Sequence, residues 1–96
     1  MLIQQKQNAS KGSFYVEESG IILAEMTYSM AGTDLMIIDH TEVDDQLRGK
    51  NVGYQLVHTA VEYARANDIK IIPLCPFAKA VFDKKMAEFG DVLREN

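Results

Sequence analysis

A helical stripe framed by two short apolar segments constrains this chain more than any other feature. From Asn51 to Ala66, Val52, Leu56, Val57, Ala60, Val61, Tyr63 and Ala64 recur at helical spacing, and no Gly or Pro follows Gly53. Ahead of it, Leu35 to His40 reads as a strand. Behind it, Ile69 to Ile72 is too short and too β-branched to be anything but a strand, closed by Pro73 and Pro76. Strand, helix and strand make a βαβ unit, whose strands lie parallel with a right-handed crossover. The carboxyl ends of both strands then meet at one edge of the sheet.

The first half of the chain reads as β. Leu2 to Gln5, Phe14 to Glu17, Ile21 to Tyr28 and Leu35 to His40 are strand candidates, separated by turn-forming Asn8 to Gly12, Ser19-Gly20 and Met30 to Thr33. Short turns between consecutive strands predict an antiparallel meander. In the third strand Ile22, Ala24, Met26 and Tyr28 share one face, which needs a helical cover. After the βαβ unit, Phe77, Val81, Phe82, Met86 and Phe89 mark a second helix starting near Pro76 and stopping at Gly90, before a short acidic tail. The expected fold is an α/β (α+β) mixed sheet: N-terminal β-meander, βαβ unit, C-terminal helix.

With 96 residues, 47% hydrophobic and 25% charged, the chain is expected to be a single domain over residues 1–96 with little material for an elaborate pocket. A net charge of −4 opposes binding to nucleic-acid backbones or anionic membranes. The lone Cys75 cannot form an internal disulfide, and no segment reads as a signal peptide or membrane span, so a cytoplasmic protein is expected, monomeric or weakly dimeric.

Ligands of open α/β sheets collect beyond the carboxyl ends of the strands, and three features converge there. Arg48-Gly49-Lys50-Asn51-Val52-Gly53 is a glycine-containing turn entering the long helix, where free amides and the helix dipole attract anions. It matches neither a dinucleotide-binding fingerprint nor a Walker loop, and a plain capped helix start is the alternative. Cys75 precedes a helix start, which stabilises thiolate, although an inert buried cysteine is the ordinary case. His40, expected to end its strand, offers a general base, or else a polar strand terminus held by a carbonyl. His58 reads as a helix-face residue near the edge of the buried arc set by Leu56, Val57, Ala60 and Val61, and Asp44 and Asp45 as solvated charges, so no metal site is expected.

In combination these residues resemble the small branch of the GNAT superfamily of N-acetyltransferases. The superfamily's pyrophosphate-loop pattern, [Q/R]-x-x-G-x-[G/A], fits Arg48 to Gly53 except that Asn51 stands where the central glycine is expected. Asn is enriched at positive φ, so the turn survives, with a tighter approach to the pyrophosphate and reduced cofactor affinity as the expected cost. Asp39-His40-Thr41-Glu42-Val43, Tyr63-Ala64-Arg65 and Ile71-Ile72-Pro73-Leu74-Cys75-Pro76-Phe77-Ala78 extend the likeness over roughly residues 13 to 90.

The resemblance implies acetyl-CoA as cosubstrate, no metal, and His40 and Cys75 near the acetyl thioester. It implies backbone hydrogen bonds from Val43 to the pantetheine arm, and Arg48, Gly49, Lys50, Asn51, Val52 and Gly53 around the pyrophosphate. The expected reaction moves an acetyl group to an amine, a small amine or a basic peptide, with His40 as base and Cys75 as nucleophile or as acid at the thiol end. A non-catalytic CoA-binding sensor or adaptor is the alternative, and a thiol enzyme unrelated to CoA is a third reading. Helices between the first strands and extra C-terminal strands, present in larger members, have no room here, and none of Tyr28, Tyr54 and Tyr63 reads as a general acid.

Overall fold

The computed structural model describes residues 1–94; Glu95 and Asn96, the end of the expected acidic tail, lie outside the described residues. Five strands, β1 (Gln4–Asn8), β2 (Lys11–Glu18), β3 (Ile21–Met30), β4 (Leu35–Val43) and β5 (Lys70–Pro73), form one sheet in chain order. The first four pair antiparallel, and β4 pairs parallel with β5, as the βαβ reading requires. The helix α1 (Val52–Ala66) makes the crossover, and α2 (Pro76–Lys84) and a single-turn α3 (Met86–Phe89) follow.

Val52, Leu56, Val57, Ala60, Val61 and Ala64 of α1 are buried, as the stripe predicts. They cover a sheet face built from Phe14, Val16, Ala24, Met26, Tyr28, Met36, Ile38 and Ile71, each at most 2% exposed. Register places Phe14 beside Met26 and Tyr28 beside Ile38. The alternate residues Ser13, Thr27 and His40 therefore share the opposite face.

Two bulges set which side chains reach the core. In β3, Val16 faces Ala24 while Glu17 faces Ile22, so Leu23 is the extra residue. Leu23 is buried and Ile22 is 40% exposed, reversing the strict alternation expected for Ile22. In β4, Thr27 faces His40 while Tyr28 faces Ile38, so Asp39 is extra and the strand continues to Val43 instead of ending at His40.

Other expectations shift for local reasons. Ala9-Ser10 alone turns between β1 and β2, with Ala9 at φ 57°, and Gly12 lies within β2. A Cβ at Gly12 would come within 2.6 Å of the Tyr28 ring, whose hydroxyl accepts from Gln5 (2.8 Å) and donates to Gln7 (2.9 Å). The C-terminal helix is not continuous: Lys85, at φ −113° and ψ 27°, breaks it. The break turns Phe89 onto Phe82 and Tyr54 and leaves Met86 exposed; Phe77, in the first turn of α2, is exposed as well. Gly90 has φ −62° and opens a 3-10 turn (Gly90–Val92) rather than a left-handed stop.

The chain end is fastened by charge. The Arg65 guanidinium donates twice to Asp91 at 2.8 Å and once to the Glu88 carbonyl, and Leu93 bridges Ile71 beside β5. Hydrogen bonds from Arg65 hold the Asp91 carboxyl below the usual range. A depressed carboxylate stabilises the fold above its unfolded titration and ceases to do so as pH falls through the folded one. Arg65→Ala is therefore expected to melt below wild type at pH 7, with the gap closing once Asp91 is protonated at strongly acidic pH; paired thermal melts across pH check this.

Candidate active site

β5 ends at Pro73, opposite Ile38. The chain then leaves the sheet: the amides of Leu74 and Cys75 both donate to the Ile38 carbonyl at 3.1 Å. β4 continues to Val43 with β3 on one side and, among the described residues, no strand on the other. An open edge on β4, residues 39–43, results. The Asp44 amide donates to Leu23 of β3, so strand alternation turns the backbone N–H and C=O of Thr41 and Val43 outward to that edge.

Cys75 caps the N-terminus of α2 and is 4% exposed. Its thiol lies 3.3 Å from Thr41 Oγ1. Burial pushes the thiol up, but the Thr41 hydroxyl and the backbone amides of Ala78, Phe77 and Thr41 outweigh it, so the group sits below a free thiol. Thr41 has this role because the Asp39 bulge rotates it to the helix-covered side, opposite Met26. Sequence reasoning missed it, since unbroken alternation would have put Thr41 on the other face.

His40 lies on the open face, its side chain 66% exposed, with Nε2 2.9 Å from Glu42 Oε1. Cys75 and His40 thus flank β4 from opposite faces. With Nε2–H donating to Glu42, Nδ1 keeps the lone pair that can accept a proton. Glu42, two residues on along the same face, is a second residue missed by sequence reasoning; only its place in a familiar string hinted at it.

The Arg48 to Gly53 turn follows β4 through a 3-10 turn (Asp45–Leu47), capped by Asp44, whose carboxylate accepts from the Gln46 amide. Gly49 adopts φ 83°, and Asn51 is left-handed at φ 59°, ψ 31°, as expected for Asn in place of Gly. No side chain caps α1 and no acidic residue lies in its first turn, so its first amides have no intrahelical acceptor. Arg48 is exposed and paired with Asp45 at 2.8 Å, Lys50 is exposed and Val52 is buried. Gly53 serves packing: a Cβ there would come within 2.5 Å of Phe77 Cζ.

The other singled-out residues keep structural places. His58 packs against Tyr54 and Phe89 and faces Glu62 at 3.6 Å. Tyr28 is buried, and Tyr54 and Tyr63 are half-buried at the core margin. Among the described residues no cluster of His, Cys, Asp or Glu could hold a metal, and no helix is long and apolar enough to cross a membrane.

An antiparallel meander and a parallel crossover helix thus leave an open strand edge followed by an uncapped helix start. Residues 13–92 match the family model of GCN5-related N-acetyltransferases, and the chain belongs to that family. A GCN5-like protein of Staphylococcus aureus, assigned as an N-acetyltransferase and solved by NMR, is 38% identical over 97% of this chain and 89% of its own, with a TM-score of 0.72. The ribosomal-protein-alanine N-acetyltransferase of Brucella melitensis biovar Abortus matches at 14% identity, over 81% of this chain and 62% of its own, with a TM-score of 0.66. AAC(6')-Iy, in complex with the bisubstrate analogue CoA-S-monomethyl-acetylneamine, matches at 13% identity, over 93% and 68%, with a TM-score of 0.53. At such identities the last two likenesses show the fold alone. No curated protein matches the chain.

Two substitutions check this geometry. Asn51→Ala, forced into the left-handed region, is expected to cost about 1 kcal/mol of stability by denaturant unfolding, and Asn51→Gly to cost nothing. Thr41→Val is expected to raise the Cys75 titration midpoint, slowing thiol alkylation at neutral pH but not at a pH where the thiol is fully ionised.

Proposed function

We propose that this chain binds acetyl-CoA along the open edge of β4 and transfers the acetyl group to an amine, with His40 and Cys75 as catalytic residues. The observation that carries the reading is the outward-facing backbone of Thr41 and Val43, set beside the Cys75 thiol at one end and the α1 start at the other.

The residues present fit the cosubstrate. Val43 offers an amide and a carbonyl to the pantetheine arm, as a neighbouring strand would. Around the turn, the backbone amides of Gly49, Asn51, Val52 and Gly53 with the side chains of Arg48 and Lys50 offer donors and positive charge to a diphosphate, the Lys50 amide being taken by the Leu47 carbonyl; Val52, buried by side chain, contributes through its backbone alone. Acetyl-CoA supplies the acetyl group in activated thioester form.

His40 Nδ1 takes a proton from the incoming ammonium on the open face of the sheet, and Glu42 holds the ring and balances the imidazolium that forms. The Thr41 hydroxyl and the amides of Ala78, Phe77 and Thr41 hold the Cys75 thiol below its ordinary value despite burial, which favours the nucleophilic role over that of acid. In that role the Cys75 sulfur bonds to the acetyl carbon as the CoA thiolate leaves, and the amine nitrogen then displaces the sulfur. No acceptor wall lies over the open face among the described residues, so a small amine or an exposed lysine of a basic peptide can reach His40.

Intact-mass measurement after mixing with acetyl-CoA is expected to find one acetyl group on the wild type and none on Cys75→Ala. Turnover of an amine without any adduct would make Cys75 an acid instead. His40→Gln is expected to keep the adduct and lower kcat for amine transfer about a hundredfold or more. Tight acetyl-CoA binding with no transfer to polyamines, small amines or basic peptides would replace this reading with a CoA sensor.

A further inference from the structure

The extra residue of the β4 bulge is tied down on the open face of the sheet. Asp39 has no partner in the ladder with β3, so strand pairing does not fix it. Its carboxylate instead accepts from the Ser29 hydroxyl at 3.0 Å, and Ser29 Oγ in turn accepts from Lys11 Nζ at 3.2 Å. Lys11 faces Ser29 and Ser29 faces Ile37 in register, so the three side chains form a row across β2, β3 and β4. Because an ammonium can only donate, the Ser29 proton is left to point at Asp39. On the other side of the bulge Thr27 Oγ1 donates to the His40 carbonyl at 3.4 Å.

None of the acetyl-transfer steps above uses this row. Lys11 and Asp39 are exposed and Ser29 is half-buried, and contacts this open to solvent add little to stability. Their place matters more. They hold the residue at which alternation slips, and that slip sends Thr41 to the thiol, 3.3 Å away. Burial raises the Cys75 thiol, and the groups that bring it down again are the Thr41 hydroxyl and the amides of Ala78, Phe77 and Thr41, none of them charged. Thr41 supplies two of these, so a shift of β4 at the bulge reaches the sulfur through Thr41.

We propose that Asp39, oriented by Ser29 and Lys11, is a positioning residue that locks the bulge and so keeps Thr41 against Cys75. As a contribution to acetyl transfer this role rests on the reading above; as a constraint on Thr41 it does not.

The pH dependence of Cys75 alkylation, measured on the full chain without cosubstrate, tests it. Asp39→Ala removes a negative charge, which by itself favours thiolate and lowers the titration midpoint; displacement of Thr41 raises it. Asp39→Ala and Ser29→Ala, both checked by thermal melting, are expected to raise the midpoint. Alkylation at neutral pH then slows about fivefold, the equivalent of one net hydrogen bond, with no slowing once the thiol is fully ionised. Asp39→Asn, which loses the charge but keeps an oxygen to accept from Ser29, is expected to restore the wild-type profile. An unchanged or lowered midpoint in either alanine variant, or an Asp39→Asn profile like that of Asp39→Ala, overturns the assignment. Absence of acetyl transfer in the wild type would overturn the reading above and leave this result standing.

Discussion

The arrangement hangs on the way β4 and β5 part company. They pair from Leu35 and Lys70 to Ile38 and Pro73, and there the ladder stops. Proline has no amide to extend it, and the Ile38 carbonyl is taken by the Leu74 and Cys75 amides, which swing the chain out of the sheet and into α2. One residue later β4 bulges at Asp39. The first event frees the edge of β4. The second decides which side chains border it, turning Thr41 toward Cys75 and His40 toward solvent. Without the bulge, Thr41 would point to the open face and the thiol would lose the hydroxyl that helps lower its pKa.

This explains which parts of the fold were legible in the sequence. The parallel crossover could be read because its signal is long: six of the stripe positions from Val52 to Ala64 are buried. The Ser19-Gly20 hairpin could be read because Ser-Gly is a turn dipeptide and Gly20 adopts its positive φ without steric cost. Bulges leave no such trace. An extra residue shifts alternation by one, so Ile22 and Leu23 exchange places and His40 becomes a mid-strand residue. The break at Lys85 was hidden for a related reason, since Met86 and Phe89 fit a continuous stripe that the chain abandons to bury Phe89.

The same logic governs the site. Cys75 and the Arg48 to Gly53 turn were legible because Pro, Gly and Asn mark where backbones change direction. Thr41 and Glu42 were not, because their roles depend on the face of β4 each occupies. In the proposed mechanism the two faces meet at the free edge of β4, across which the amine deprotonated at His40 reaches the acetyl group on the Cys75 side. The structure has little material to spare for this: the C-terminal segment closes the sheet by one bridge to Ile71 and the Arg65 clamp.

The central claim, that the free edge of β4 and the start of α1 form one continuous cosubstrate site, is tested most directly by an amide chemical-shift map recorded on titration with acetyl-CoA. The account predicts the largest changes at Thr41, Val43, residues 49–54 and residues 75–78, with the hairpin of β1 and β2 unmoved. Changes confined to the open sheet face, or none at millimolar excess, would contradict it.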